Sequence, residues 1–349
     1  MIRVEVIAVS DELGSDYDVV VVGGGAAGLN GALMLARMRR SVAVIDAGAP
    51  RNAPAEGVHG LLAREGMAPQ ELLELGRAEV RGYGAHVVSG EVGSAARRED
   101  GAFAVALSDG RRVRARRLLV AAGLVDELPE IPGLRERWGR DVVHCPYCHG
   151  WEVRDRAIGV VANGPMSVHQ ALMFRQLSAN VAHFTHTTTA PSGEEAEQLA
   201  ARGIRVVEGE VAALETAGDR LAGLRMADGR LVAREVLAVA SRMRARAGFL
   251  AELGLHPVEH PGGMGEYIPA DTAGRTDVPG VWLAGNVTDL VAQVGAAAAA
   301  GAWAGAQING DLTAEDTRRA VEALHEPFSG ASEARLSEAA VAAEHRHGL

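Results

Sequence analysis

Apolar residues recur along the chain in two patterns that are typical of alternating strands and helices. Residues 17–22 (YDVVVV) form an unbroken, largely β-branched run, which predicts a buried strand. Residues 29–38 (LNGALMLARM) have the periodicity of a helix, and a second apolar run, SVAVID, ends at Asp46. The sequence therefore predicts a strand–turn–helix–strand unit, and such units favour a parallel sheet.

The same alternation returns later in the chain. FAVALS (residues 103–108) and RRLLVAAG (116–123) flank the turn dipeptide Asp109-Gly110, which predicts a hairpin. A Pro/Gly cluster at residues 128–133 indicates a domain boundary. Beyond it we expect a second α/β unit, with strands AIGVVA, VAHFT and IRVVEGEV, helices MSVHQALMFRQLS and EEAEQLAARG, and a closing hairpin. The fold class predicted is α/β, with two Rossmann-like nucleotide-binding folds.

Composition excludes several classes of function. The net charge of the 349 residues is -10, which is unfavourable for binding nucleic acid or an anionic membrane. All 35 basic residues are Arg, so a Lys Schiff base and a Walker A loop are excluded. The longest apolar run, residues 294–306, is shorter than the ~20 residues of a membrane span, and the N-terminus does not resemble a signal peptide. We expect a cytoplasmic protein.

A glycine-rich turn, Gly23-x-Gly25-x-x-Gly28, joins the first strand to the first helix. In that position the first glycine permits the tight turn, the second lets the backbone approach a pyrophosphate at the helix N-terminus, and the third lets the helix pack on the strand. Asp46 ends the next strand and would accept hydrogen bonds from an adenosine ribose. The motif predicts a dinucleotide and does not separate FAD from NAD; a turn without ligand is the alternative.

Both cysteines lie in one hexapeptide, residues 144–149 (HCPYCH). Cys145 and Cys148 can form an exchangeable disulfide, in which one thiolate attacks and the other resolves. His149 can accept or donate a proton near neutral pH. A zinc site, a glutaredoxin-type module and inert cysteines are the alternatives. No second cysteine pair completes a zinc finger, so we assign no metal and expect redox chemistry.

A third motif, residues 280–289 (GVWLAGNVTD), predicts a strand that meets a turn. An Ala/Gly-rich helix is expected from Gln293 to Ile308. Small side chains would let a flat ring or another backbone approach this helix, and core packing explains them equally well. The tail, residues 311–349, is acidic and helical in composition.

Together the three motifs resemble the low-molecular-weight thioredoxin reductases, which are FAD-containing flavoproteins, over residues 16–310. Asp46 stands where that family usually has Glu, Ala122 where Thr is common, and Asn286 where Asp is usual. The resemblance implies that FAD is bound by Gly23, Gly25, Ala26, Ala27, Gly28, Asp46, Gly123, Gly285, Asn286 and Gln293.

The resemblance also implies a domain order and roles for the cysteines. It places the first half of an FAD domain at 1–125, an inserted pyridine-nucleotide-like domain at 126–245, the second FAD half at 246–315 and a helical tail at 316–349. Cys148 would lie beside the flavin and Cys145 would exchange with substrate. His149 stands where the reductases have an acid, and would act as base for incoming thiols. A homodimer is expected on the same basis.

The second nucleotide fold departs from an NADPH site. Its turn, VVANGPMS, keeps only Gly164 where three small residues are expected, Ala162 brings a Cβ into the tight turn, and Pro165 lacks an N–H. The following segment, HTTTAPSGEE, lacks the family's arginine cluster for a 2′-phosphate. We therefore predict weak or no binding of NADPH.

A flavin–dithiol couple without a nicotinamide site must exchange electrons with another molecule. The chain is similar to the dithiol oxidases of disulfide natural-product pathways, such as the gliotoxin and holomycin oxidases, which also have His after the second Cys. This likeness implies that a small-molecule dithiol is oxidised to an intramolecular disulfide, with O2 as acceptor. A thioredoxin-disulfide reductase using NADPH or ferredoxin is one alternative, and a non-redox flavin-binding protein is another. His59 and Arg64 could reach the flavin side, but we interpret them as part of a solvated loop. His169 stands where the reductases have an acid near the nicotinamide, but we interpret it as a surface histidine.

Overall fold

The structure is a computed structural model that describes residues 12–325, 330, 333–334 and 336–338. The helices are α1 (Ala26–Arg37), α2 (Pro69–Gly82), α3 (Pro146–His149), α4 (Ser167–Phe174), α5 (Glu194–Ala201) and α6 (Val294–His325). The strands are β1 (Asp16–Val22), β2 (Val42–Asp46), β3 (His86–Ser89), β4 (Val92–Arg97), β5 (Phe103–Leu107), β6 (Arg112–Val120), β7 (Leu124–Glu127), β8 (Val142–Val143), β9 (Ile158–Val161), β10 (Val181–Phe184), β11 (Arg205–Val207), β12 (Val211–Ala217), β13 (Arg220–Met226), β14 (Leu231–Ala233), β15 (Val236–Val239), β16 (Arg242–Ala245), β17 (Val258–Glu259), β18 (Gly265–Tyr267) and β19 (Val281–Leu283).

The first sheet has seven strands in the order β3-β2-β1-β6-β5-β4, with β19 paired to β6. Strands β1, β2, β3, β6 and β19 are parallel, which confirms the predicted β1–α1–β2 unit. The predicted hairpin is also confirmed, because β5 and β6 pair antiparallel across residues 108–111. Val19, Val20 and Val21 are fully buried. One face of the sheet packs on helices, and the other face packs in a cluster with buried side chains of β4 and β5. Burial on both faces explains why β1 is an unbroken apolar run.

The second sheet is parallel, in the order β11-β10-β9-β15-β8. Helices α4 and α5 pack on one face, and the antiparallel sheet β12-β13-β14 packs on the other. The prediction of a single strand for IRVVEGEV was wrong. Gly209, with φ of +107°, separates β11 from β12, and the two strands belong to different sheets. With this correction, the fold is α/β with two Rossmann-like units.

The chain enters and leaves the second sheet through two neighbouring strands. β7 follows the last long strand of the first sheet, and β16 follows β15. They pair antiparallel, with Leu124 opposite Ala245, in a four-stranded sheet completed by β17 and β18. The cysteine segment (residues 144–149) follows β8 of the second sheet, and the β1–α1 turn follows β1 of the first sheet. The β7–β16 pairing joins the two sheets and so fixes the cysteine segment relative to that turn.

The small residues of α6 are explained by packing against α1. A Cβ at Gly301 would lie 1.9 Å from the Ala27 carbonyl oxygen, and one at Gly305 would lie 2.7 Å from that of Gly31. Glycine is therefore required for the two helix backbones to meet.

Helix α6 begins at Val294 and continues past the predicted end at Ile308 to His325. Ion pairs hold this extension against β6: Arg117 contacts Glu315 at 2.5 Å, and Arg116 contacts Asp316 at 2.5 Å. The apolar pattern used for the prediction stops before these charged contacts begin. Among the helices of the described part of the chain, none combines the length and apolar character that crossing a bilayer requires.

Candidate active site

The turn after β1 has the close contacts that its three glycines predict. Gly23 has φ of +106°, and a Cβ there would lie 2.3 Å from the Ala121 carbonyl oxygen. A Cβ at Gly28 would lie 1.9 Å from the carbonyl oxygen of Gly23. Gly28 therefore lets α1 pack on the end of β1, which is the role expected of the third glycine.

The N-terminus of α1 is open to a ligand. Gly25 is the N-cap residue, no side chain caps the helix, and a Cβ at Gly25 would meet nothing within 4 Å. The first N–H groups of the helix are thus available to an anion such as a pyrophosphate. The Asp46 carboxylate accepts hydrogen bonds from Arg77 (3.0 Å) and from the Gly48 N–H (3.1 Å), and retains acceptor capacity for ribose hydroxyls. These groups fit the adenosine diphosphate part of FAD.

The turn opens into a cavity of about 1350 Å³. Ligand pockets commonly measure ~300–1,000 Å³, so this cavity has room for a dinucleotide and a small substrate together. Of the predicted site residues, only Gly28 lies outside its lining. The cavity brings together Gly23, Gly25, Ala26, Ala27, Asp46, Gly123, Cys145, Cys148, His149, Gly285, Asn286 and Gln293.

The third motif shapes one wall of this cavity. Gly285 has φ of +73°, and a Cβ there would lie 3.0 Å from the Cβ of Ala27. The Asn286 side-chain amide donates to the carbonyl oxygens of Asp289 (2.9 Å), Leu290 (3.3 Å) and Ala292 (3.0 Å). Asn286 therefore uses its amide nitrogen to hold the loop that leads to Gln293, a structural task that the sequence did not predict.

Cys145 and Cys148 are free thiols at the two ends of one helical turn. The N–H groups of Cys148 and His149 donate to the Cys145 carbonyl oxygen at 3.2 and 3.1 Å. A hydrogen bond from the Cys148 thiol lowers the pKa of Cys145 to about 7; burial opposes this shift, and the Tyr147 and Cys148 N–H groups and the charge of Arg51 favour it. The same hydrogen bond, with burial, raises the pKa of Cys148. In the reduced pair, the thiolate therefore resides on Cys145.

Arg51 is held beside the cysteines by a buried carboxylate. It donates two hydrogen bonds of 2.7 Å to Asp126, which also accepts one from the Ser241 hydroxyl. Burial acts to raise the pKa of Asp126, but the hydrogen bonds and charge of Arg51 outweigh it and lower that pKa. Asp126 is thus ionised at neutral pH and fixes the guanidinium. No local pattern in the sequence indicates this pair, because its two residues are far apart in the chain.

Several imidazoles surround the cysteine pair. Burial lowers the pKa of His149, and the charge of His59 adds to this, whereas Glu152 and Glu56 act in the opposite direction. His149 is therefore neutral at pH 7 and able to accept a proton. His59, in a loop whose following residues are mostly exposed, also lines the cavity, and so does the exposed His169. Within the described residues, no three His, Cys, Asp or Glu side chains form a group that could hold a metal ion.

The thiol pKa values predict selective alkylation of reduced protein. Cys145 should react with iodoacetamide as its thiolate forms, so its rate should rise with pH and reach half its plateau near pH 7. One unit below the pKa only ~10% of the thiol is ionised, so the rate at pH 6 should be about tenfold below the plateau. Cys148 should stay largely unlabelled below pH 8. Peptide mass mapping checks this, with denatured protein as control; equal labelling of both native thiols would contradict it.

The second nucleotide fold offers few groups to a coenzyme phosphate. The N–H of the buried Ala162 donates a hydrogen bond to the Phe184 carbonyl oxygen at 2.8 Å, and Pro165 has no backbone N–H. No Arg or Lys occurs between Arg175 and Arg202. Helix α5, which follows β10, instead carries three carboxylates in its first turn: Glu194, Glu195 and Glu197.

The site thus belongs to a flavin-type oxidoreductase with a dithiol next to its nucleotide cavity. Residues 17–301 match the pyridine nucleotide-disulphide oxidoreductase family, and the chain belongs to that family as a thioredoxin reductase-like, FAD-dependent thiol-disulfide oxidoreductase. The solved structure of HlmI is similar, with a TM-score of 0.84. Its sequence is 46% identical to this one, and the match covers 90% of this chain and 98% of HlmI.

Two fungal proteins are also similar along almost their whole length. Thioredoxin reductase tcpT of Claviceps purpurea is 31% identical over 85% of this chain and 95% of its own. Thioredoxin reductase sirT of Leptosphaeria maculans is 27% identical over 84% of this chain and 94% of its own.

Proposed function

We propose that the protein oxidises a small-molecule dithiol to an intramolecular disulfide, with O2 as the final electron acceptor. Bound FAD would supply the two-electron acceptor that reoxidises the cysteine pair and passes electrons to O2. His149 supports the proposal, because the dithiol oxidases that the chain resembles also have His directly after the second cysteine. HlmI is similar over nearly the whole chain. The names of tcpT and sirT make a thioredoxin-disulfide reductase the second candidate.

The observation that favours an oxidase over a reductase is the charge of the second nucleotide fold. A 2′-phosphate needs cations, and the stretch after β10 supplies carboxylates at the start of α5 and no Arg or Lys before Arg202. Electrons would therefore enter through the cysteines, which share a cavity with the α1 turn.

The cysteine segment can perform the exchange in two steps. A substrate thiol gives its proton to His149, and the resulting thiolate attacks Sγ of Cys145 in the oxidised pair. This forms a mixed disulfide, breaks the Cys145–Cys148 bond and releases Cys148 as a thiolate. The second substrate thiolate then attacks the substrate sulfur of the mixed disulfide and releases Cys145. Once Cys148 has taken up a proton, its thiol can donate the hydrogen bond that stabilises Cys145 as the leaving thiolate.

Aerobic turnover tests the proposal. With dithiothreitol, the FAD-loaded protein should consume O2 and form one peroxide for each dithiol oxidised. With NADPH and oxidised thioredoxin, it should form no thiol above the enzyme-free control. Sustained NADPH oxidation coupled to disulfide reduction would favour the reductase and overturn the proposal.

A further inference from the structure

Residues 57–67, which lie between β2 and α2 in the chain, form a closed loop. Its first three residues, 57–59, line the cavity. The Val58 N–H donates to the Met67 carbonyl oxygen, and the Gly66 N–H donates to that of Val58, both at 2.8 Å. Ala63 has φ of +67°, a conformation that a residue with a side chain rarely adopts. A loop closed by backbone hydrogen bonds holds its side chains in place.

Inside this loop, Glu65 and His59 form a carboxylate–imidazole pair. Glu65 Oε1 lies 2.6 Å from His59 Nδ1, and its Oε2 accepts the Gly60 N–H at 2.9 Å. Because a carboxylate accepts hydrogen bonds, Nδ1 carries the proton and Nε2 is the nitrogen left for other chemistry. A Cβ at Gly57 would lie 3.1 Å from Nε2, so a glycine at this position leaves that nitrogen uncrowded.

Nε2 of His59 makes no hydrogen bond with another described residue, and it lies near the residues that follow the cysteines. Nε2 lies 3.6 Å from Oε1 of Glu152, which follows Cys148 closely in the chain. Both His59 and His149 line the cavity, and they lie close enough to interact electrostatically. At the other end of the pair, the Glu65 side chain is 64% exposed, so the pair joins the cavity to solvent.

The chemistry of a dithiol calls for a second base. Each substrate thiol must lose its proton before its sulfur attacks. The first proton can pass through His149 to the Cys148 thiolate that the first step releases, whereas Cys145 leaves as the thiolate, so the proton of the second thiol needs another acceptor. His149 lies next to Cys148 in the chain and can serve the first thiol. A separate base that can pass the proton on to solvent would serve the second thiol.

We propose that His59, oriented by Glu65, is the catalytic base for the second substrate thiol; this inference rests on the proposed function. The second thiol gives its proton to His59 Nε2, and its sulfur attacks the substrate sulfur bonded to Cys145. The substrate S–S bond forms, the Cys145–substrate bond breaks, and the electron pair remains on Cys145. The oxidant that the cycle needs is FAD, reoxidised by O2.

The test measures the mixed disulfide. His59→Gln holoenzyme is mixed with dithiothreitol, quenched with acid and analysed as intact protein by mass spectrometry. General bases contribute ~10²–10⁴-fold, so we expect release of the cyclic disulfide to slow at least ~100-fold, and the Cys145 adduct to accumulate. Glu65→Gln should show a smaller slowing with the same adduct. His256→Gln changes an exposed histidine outside the cavity lining and should match the wild type.

A monothiol separates catalysis from a structural effect. With 2-mercaptoethanol, formation of the first mixed disulfide should proceed at the wild-type rate in His59→Gln, because that step uses His149. Release of cyclic product at the wild-type rate, or equal slowing of both steps without an adduct, would overturn the inference. If His59→Gln lost FAD, Glu65→Gln would decide by the same readouts. Failure of the wild type to oxidise dithiothreitol would instead overturn the proposed function.

Discussion

Replacement of Cys148 by serine is expected to abolish dithiol oxidation, with a loss of at least ~1,000-fold, as for other groups that act as a catalytic unit. A serine cannot form the disulfide that the substrate attacks, so no electrons can leave the dithiol. Cys145→Ser should be equally inactive for the same reason. Both variants should retain FAD, because the groups that fit its adenosine diphosphate part, at the N-terminus of α1 and at Asp46, do not involve either sulfur. Steady-state O2 consumption and the flavin spectrum measure the two properties.

The two variants should differ in the reactivity of the remaining thiol. In Cys148→Ser the serine hydroxyl can replace the thiol as hydrogen-bond donor, so Cys145 should react quickly with an aromatic disulfide reagent at pH 7. In Cys145→Ser the remaining Cys148 is half-buried, as Cys145 is, but it lacks the N–H donors that lower the pKa of Cys145, so it should react more slowly. His256→Gln serves as the matched control of full activity. Turnover in either serine variant would contradict the dithiol mechanism.

Local patterns predicted the part of the site that is built from consecutive residues. The β1–α1 turn is one example: an apolar run, three spaced glycines and an amphipathic helix constrain one another, and the contact of Gly28 with the Gly23 carbonyl is the expected one. The cysteine turn is another, because Cys145 and Cys148 need only one helical turn between them.

The rest of the site depends on contacts between distant segments, which no local pattern encodes. Arg51 and Asp126 meet across 75 residues, at a point where a loop after β2 reaches β7. His59 and Glu65 are close in the chain, but only the closure of their loop turns the imidazole into the cavity. The sequence predicted a helical tail but not its continuity with the helix expected to end at Ile308, because residues 311–316 of α6 are held by ion pairs with distant residues of β6.

The route of electrons into the flavin should differ sharply between a dithiol and NADPH. The cysteine pair shares a cavity with the α1 turn, whereas the second nucleotide fold has no Arg or Lys between Arg175 and Arg202 to hold a 2′-phosphate. A hydride donor that is not bound loses the advantage of a positioned reactant, which reaches effective molarities of ~10⁵ M or more. We therefore expect flavin reduction by dithiothreitol to be at least ~1,000-fold faster than by NADPH at equal concentration.

Anaerobic rapid mixing of the FAD-loaded protein with each reductant, followed through the visible flavin absorbance, measures this difference directly. The account predicts fast bleaching by dithiothreitol, loss of that phase in Cys145→Ser and Cys148→Ser, and no bleaching by NADPH on the same timescale. Rapid bleaching by NADPH, or bleaching by dithiothreitol that survives both serine substitutions, would contradict it.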